Sequence, residues 1–395
     1  MLNNSLHLRQ LSVHGFKSLD NFHAYFEPNL TVFIGKNGAG KSTILQFLNF
    51  IQTFLSGEPL RFFEDRAWLF ESIKPLFNNS HLIEAILTFN KKDGTEITWE
   101  WKWDFKENLN KAESLKYQNK SKKVEVFALS AQSNSIKVGD NLIEGLRLSG
   151  SILSVLDIDM IKNEISQEIA QAVQKWGNGI CSLELMNPTI MRHSSRNASL
   201  QMGYQGKGLS GFMAGLSDKQ KDRIVKRLNL FYPSLKAVNT IEKSTGSINL
   251  QIVENFANTY EIPAEHISDG YLRLIALASL PELSDKISLI LIDEVEDGLE
   301  PHILPDLIDN IHHEQLAQLI LTSHSPVLVN RFKAEQIRFV ARNLNGAAIS
   351  VGFDEIKEIK KDFEYQGAGE IWFHTSNSSL EKWVRNAFFR RKKEI

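Results

Sequence analysis

The stretch from Leu30 to Thr43 constrains this chain more than any other, because a short apolar run, Leu30-Thr-Val-Phe-Ile34, leads straight into Gly35-Lys-Asn-Gly-Ala-Gly-Lys-Ser42. A buried strand ending in two glycines that flank four residues, then lysine and a hydroxyl residue, is the pattern of a phosphate-binding loop. Such a loop wraps backbone N–H groups around phosphate oxygens, so Gly35, Gly38 and Gly40 supply dihedral angles and a close approach that a β-carbon would obstruct. Lys36, Asn37, Ala39 and Thr43 complete the cradle. Lys41 would bring its charge to the β- and γ-phosphates of ATP, and Ser42 would offer its hydroxyl to Mg²⁺. The helix beginning there would aim its positive end at the anion. A glycine-rich turn with an accidental lysine is the plain alternative, and the strand in front of the loop weighs against it.

Two later segments fit the same chemistry. Ser288-Leu-Ile-Leu-Ile292 is an apolar run of strand length that ends in Asp293-Glu294, and two acids at the tip of a buried strand need a reason. Asp293 would hold the metal ion, and Glu294 would orient and deprotonate the attacking water for in-line displacement at the γ-phosphate. Gln318-Leu-Ile-Leu-Thr-Ser323 is a third such run, and it ends at His324. That placement sets an imidazole at the same edge of a parallel sheet, where it can sense the γ-phosphate. A lone histidine is more often a satisfied polar residue; the strand it follows is what singles this one out.

Bulk properties narrow the setting. With 395 residues and 42% hydrophobic content the chain can bury a substantial core, and 45 basic against 47 acidic side chains leave no global field to draw in nucleic acid or anionic lipid. Any nucleic-acid site must be a local patch. The single cysteine, Cys181, excludes an internal disulfide and reads as a small buried apolar residue in a reducing compartment. No apolar run reaches the roughly 20 residues that span a bilayer, and Met1 to Gln10 lacks a signal-peptide core, so a cytoplasmic protein without membrane contact is expected.

Ile83 to Phe89 and Thr98 to Phe105 flank the turn-prone Lys92-Asp-Gly94 and predict an antiparallel hairpin. Trp99, Trp101, Trp103 and Phe105 share one face of its second strand; they could stack on bases, but a half-buried strand is the simpler reading. The polar, lysine-rich stretch from Glu107 to Lys123 predicts a loop or lobe boundary. Apolar spacing predicts helices over 158–176 and from Ser217 to Leu230, with a glycine-rich turning segment, Gly203 to Gly215, between them. The acids Asp354, Glu355, Glu358 and Asp362, interleaved with lysines, read as a solvated helix face.

Ile267-Ser268-Asp269-Gly270-Tyr271, followed by an apolar helix and lying some twenty residues before Asp293, resembles the signature of ABC ATPases. Together with the loop at 35–42, the run Glu296-Asp-Gly-Leu-Glu-Pro301 and the run Thr322-Ser-His-Ser-Pro326, it is similar to the RecF, SMC and OLD branch. Short bacterial AAA-family (AAA_21-like) defence-module ATPases are the nearest likeness. The opening Leu11-Ser-Val-His-Gly-Phe-Lys17 resembles the first strand of that branch. Val295 and Glu300 stand where the branch commonly has proline and histidine, which puts in doubt the dimer-contact role that the resemblance gives to Asp297. Pro188 to Arg192 and Gly206 to Leu216 resemble parts of the middle lobe, and Gln132 is one candidate for the glutamine-loop residue.

The resemblance implies an α/β P-loop NTPase of ABC type, with a mixed sheet, an antiparallel β subdomain and a helical lobe. Its divisions would be an ATP-binding lobe over 1–110, an inserted and largely helical lobe over 111–264, and 265–395 carrying the signature, the acidic pair, the histidine and a C-terminal extension. It also implies a homodimer that sandwiches two ATP molecules, Ser268, Asp269 and Gly270 of each chain closing the site of the other. The expected role is an ATP-gated switch in a bacterial antiphage defence module, acting with a separately encoded effector such as a nuclease. The alternative is a DNA repair or recombination ATPase that binds DNA directly, for which Arg385, Arg390, Arg391, Lys392 and Lys393 are the candidate phosphate contacts. A transporter subunit is disfavoured, since the middle lobe is long and no glutamine follows the signature glycine.

Overall fold

Leu30–Ile34 is buried at every position, because it runs through the interior of a sheet covered on both faces. In the computed structural model, which describes residues 6–394 apart from 76, 78, 120–121, 131–134, 140, 315–316 and 361–364, this sheet has six strands. Their order is Ile180–Glu184, Leu289–Ile292, Gln318–Thr322, Leu30–Ile34, Ile337–Arg342 and Ala348–Gly352. The first five are parallel, and the sixth pairs antiparallel with its neighbour. Parallel strands buried on both faces tend to read as unbroken apolar runs, which is why Leu30–Ile34, Leu289–Ile292 and Gln318–Thr322 stand out in the sequence, while Ile180–Glu184 and Ile337–Arg342, interrupted by polar residues, do not. The order has a direct consequence for the site. The strand that ends at Thr322 lies between the phosphate-loop strand and the one that ends at Ile292, so the three segments of interest emerge side by side at one sheet edge.

The helix Lys41–Leu55 leaves the loop and is buried nearly all round, as a helix sandwiched between two sheets must be. One side shares an apolar cluster with Leu291 and Ile320 of the parallel sheet; the other meets Trp99, Trp101 and Trp103. Those tryptophans belong to a second sheet of eight antiparallel strands, which places Phe22–Tyr25 beside His7–His14 and then runs in chain order from Leu82–Asn90 to Asn141–Glu144. The expected hairpin forms as Leu82–Asn90 and Glu96–Asp104. Its aromatic face is core: Trp101 stacks on Phe54 with ring centres 4.3 Å apart, which leaves no ring free for bases.

Several expectations are corrected. Glu107 to Lys123 is not a loop boundary but the strand Leu109–Asn119 and the start of Lys122–Ser130. Polar residues hide the alternation there because one of them is buried and fully engaged: Glu113 accepts from Trp99 Nε1, Asn110 Nδ2, Ser151 Oγ and the Ile152 N–H. The boundary expected at 110/111 thus falls inside a strand, and 111–264 is not largely helical. It supplies half of the eight-stranded sheet and a separate three-stranded sheet, Leu235–Glu242, Ile248–Asn255 and Thr259–Pro263. Its helices are interleaved with these strands.

The helix expected over 158–176 starts later, as Glu164–Asn178, because the Asn163 side chain caps it by accepting from the Ser166 N–H at 2.9 Å. The glycine-rich segment contains a true helix, Leu209–Gly215. The helix expected from Ser217 forms as Asp218–Asn229, with Ser217 as its cap. At the C-terminal end, Glu355 meets Arg338 and Arg391, and Glu358 meets Arg390. These acids tie the helix Asn377–Glu394 to the sheet and are not a solvated face; Asp362 lies outside the described residues.

Candidate functional site

Gly35, Gly38 and Gly40 have φ of +141°, +76° and +116°, the region in which side chains are disfavoured. Gly35 is required twice over, since a β-carbon there would sit 2.2 Å from the Val340 carbonyl oxygen of the adjacent strand. The helix Lys41–Leu55 begins on Gly40 with no side-chain cap, so its first N–H groups are left for an anion. The buried Lys41 ammonium donates to the Gly35 and Lys36 carbonyls at 3.0 and 3.4 Å and to His324 Nε2 at 2.7 Å. An ammonium can only donate, so Nε2 accepts and the ring carries its proton on Nδ1. Burial, then the Lys41 charge, pushes the His324 pKa below its ordinary value, which keeps the ring neutral. Burial lowers Lys41 as well, against the attraction of Asp293, Glu294 and Glu296.

The acidic pair is organised by a residue that the sequence did not single out. Thr322 Oγ1 donates to Asp293 Oδ1 at 2.5 Å and accepts from the Glu294 N–H at 2.8 Å, so one hydroxyl holds both ends of the pair. Glu294 itself has φ +45°, a costly conformation for a side-chain-bearing residue. Burial, then the neighbouring Asp293 charge, raises its pKa above the usual carboxylate value, the direction that suits a general base. Glu296 accepts a hydrogen bond from the His324 N–H, and burial raises its pKa too.

Two other residues at the loop escaped sequence reading. Arg342 donates from Nε to the Gly38 carbonyl and from Nη1 to the Gly346 carbonyl, both at 2.8 Å. The buried Ser18 hydroxyl lies 3.0 Å from where a β-carbon on Gly40 would be. Both come from strands or turns whose sequence carries no loop signal. Thr322 and Glu296 left a faint one, as polar residues within runs already chosen.

Ser268 caps the helix Asp269–Ala278 by accepting from the Tyr271 N–H at 3.3 Å. Asp269 pairs with Arg192 at 2.6 Å, and Arg192 also donates to the Ile267 carbonyl at 2.7 Å. Gly270 presses on the loop after the acidic pair, where a β-carbon would come within 2.5 Å of the Gly298 oxygen. Arg273 joins the same contact, pairing with Asp297 at 2.7 Å and donating to the Met186 carbonyl at 3.2 Å. Lys41, Asp293, Glu294 and His324 are therefore gathered at one edge, whereas Ser268 caps its own helix, Asp269 meets Arg192 and Gly270 meets the Gly298 loop. Gln132 lies outside the described residues.

A parallel sheet whose carboxyl edge carries a glycine cradle with its lysine, an acidic pair and a histidine defines a P-loop ATPase. The family model described as "AAA domain, putative AbiEii toxin, Type IV TA system" matches residues 30–330, and the chain belongs to that family. In structure it is similar to an "SmcHead bound to the C-winged helix domain of ScpA", with TM-score 0.55 and 16% identity over 88% of this chain and 99% of that one. It is also similar to an Smc head domain with an extended coiled coil bound to the C-terminal domain of ScpA, derived from Pyrococcus furiosus. There the TM-score is 0.55 and the identity 13%, over 91% and 100% of the two chains. At such identities the likeness is one of fold. No curated protein matches the chain. Among the described residues no helix is long and apolar enough to cross a membrane.

Proposed function

We propose that this ATPase is an ATP-gated dimeric switch, the ATPase subunit of a bacterial antiphage defence module that works with a separately encoded effector such as a nuclease. The observation that carries the switch is the 2.7 Å bond from Lys41 Nζ to His324 Nε2. Two groups held that close support a reading in which one anion meets both the ammonium and the imidazole. The backbone N–H groups from Gly35 to Thr43 hold the phosphates, Lys41 bridges the β- and γ-phosphoryl oxygens, and His324 senses the γ-phosphate. Ser42 and Asp293 are oxygen donors of the kind Mg²⁺ takes, and Mg²⁺ bound there would neutralise charge developing on the phosphate. Glu294 accepts the proton of the attacking water.

Ser268 to Gly270, at the start of a helix, close the site of a second protomer, so that ATP becomes part of the interface and its hydrolysis loosens the pair. The defence setting is supported by the family description, which names a putative toxin of a type IV toxin–antitoxin system. Direct DNA binding has less support: Arg385 meets Glu381, Arg390 meets Glu358 and Arg391 meets Glu355, so these cations are engaged within the chain.

The test is nucleotide binding and mass in solution. Lys41→Ala should abolish ATP binding, and Glu294→Gln should bind ATP, lose turnover by at least about 100-fold and accumulate as a dimer. Parent-rate hydrolysis by a folded Glu294→Gln protein would remove Glu294 as the base. Copurification from the native host would show whether an effector travels with the protein.

A further inference from the structure

Glu296 stands three residues beyond Asp293, on the loop that follows the strand Leu289–Ile292. That loop returns to the neighbouring strand, where the Val295 N–H donates to the Thr322 carbonyl at 3.2 Å. The return brings the Glu296 carboxylate over the turn that follows Thr322. Its Oε1 accepts the His324 backbone N–H, and the Ser323 hydroxyl also lies against the carboxylate. His324 is thus gripped at two points. Its ring meets Lys41 at 2.7 Å, and its backbone meets Glu296. The turn is fastened further by the Ser325 N–H, which donates to Ser323 Oγ at 3.0 Å. With these bonds made, the peptide between Ser323 and His324 has little freedom to rotate, and its orientation decides where the imidazole points.

We infer that Glu296 is a positioning residue for the ATPase reaction: by accepting the His324 N–H it sets the imidazole against the γ-phosphate side of the cradle. The loop carrying the acidic pair and the loop carrying the sensor are thereby held in one register. What matters is an acceptor oxygen at that reach, not the negative charge. Glutamine keeps an oxygen at the same distance, aspartate keeps the charge but is one methylene shorter, and alanine keeps neither. This inference rests on the role proposed for His324.

The test uses the full chain with Mg-ATP, measuring steady-state kcat and KM beside the thermal midpoint of each variant. His324→Ala should lower kcat by roughly 100-fold. Glu296→Ala and Glu296→Asp should each lower kcat by roughly 10- to 100-fold with KM within about threefold of the parent. Glu296→Gln should stay within about threefold of the parent in both. The double variant Glu296→Ala/His324→Ala should be no slower than His324→Ala alone, because the two losses act through one group. If Glu296→Ala does not fold, the Asp and Gln variants decide the matter between them. Loss in Glu296→Gln with retention in Glu296→Asp overturns the inference, and so does a double variant whose losses multiply. If His324→Ala itself turns over at the parent rate, the sensor role falls and this inference with it. A slow His324→Ala protein with unaffected Glu296 variants would overturn this inference alone.

Discussion

Lys17 holds its ammonium 3.7 Å from the centre of the Trp68 ring and donates to Gln46 Oε1 at 2.9 Å, on the helix that starts at the phosphate loop. Burial, then the nearby Arg66 charge, lowers its pKa from 10.5 to about 8. Between those two values the unfolded chain holds the proton that the folded one has released, so the Lys17 contribution to stability rises with pH through that interval and is constant below it. Replacing Lys17 with methionine removes this dependence. The difference in unfolding free energy between Lys17→Met and the parent should therefore shift in the parent's favour from pH 8 to pH 10; a difference independent of pH in denaturant titrations would contradict the lowered pKa. Single residues of this kind were only partly legible. Lys41, Asp293, Glu294 and His324 announce themselves because each follows an apolar strand, whereas Thr322, Glu296, Arg342 and Ser18 become meaningful only through partners on other segments.

Elements fail or hold by what they pack against. Trp101, 2% exposed, lies between Phe47 and Phe54 of the loop-bearing helix, with ring centres 5.9 and 4.3 Å away. Trp101→Ala should cost about 3–5 kcal/mol in urea unfolding, with ATP affinity little changed wherever the protein remains folded. The helix Ala368–His374 docks on the segment just after His324. Asn330 Oδ1 accepts from the Gly369 and Glu370 N–H groups at 2.7 and 3.2 Å, and a β-carbon on Gly369 would lie 1.8 Å from the Pro326 oxygen. Gly369→Ala should consequently push that helix off the Pro326 segment and lower both the thermal midpoint and kcat, while Ala368→Gly, which adds no atom, should leave kcat near the parent value. Three of the parallel strands, Leu30–Ile34, Leu289–Ile292 and Gln318–Thr322, were readable because an apolar run is a local signal, whereas Ile180–Glu184 and Ile337–Arg342 were not, because Ser182, Glu184 and Arg338 interrupt theirs. The strand Leu109–Asn119 was not, because its buried carboxylate is satisfied by donors as distant as Ser151 and Ile152.

At the scale of the whole molecule, the proposed dimer puts the heaviest demand on Ser268 to Gly270, which in a single chain face Arg192 and the Gly298 loop. Introducing Ser268→Arg into the Glu294→Gln background should abolish the ATP-dependent dimer seen by light scattering and leave ATP binding within about threefold, since Ser268 is exposed in the single chain and the added side chain would point at the proposed partner. A dimer that persists would place the interface elsewhere. By itself the sequence determined that a nucleotide cradle ends a buried strand and that two more strands carry an acidic pair and a histidine, since each is written in a dozen contiguous residues. Tertiary structure alone decided that the histidine strand lies between the other two, and that the polar middle of the chain completes an eight-stranded sheet. It also decided that Thr322, Glu296 and Arg342 fasten the site. Strand order and side-chain partnership across hundreds of residues are set by packing, and no local pattern encodes packing.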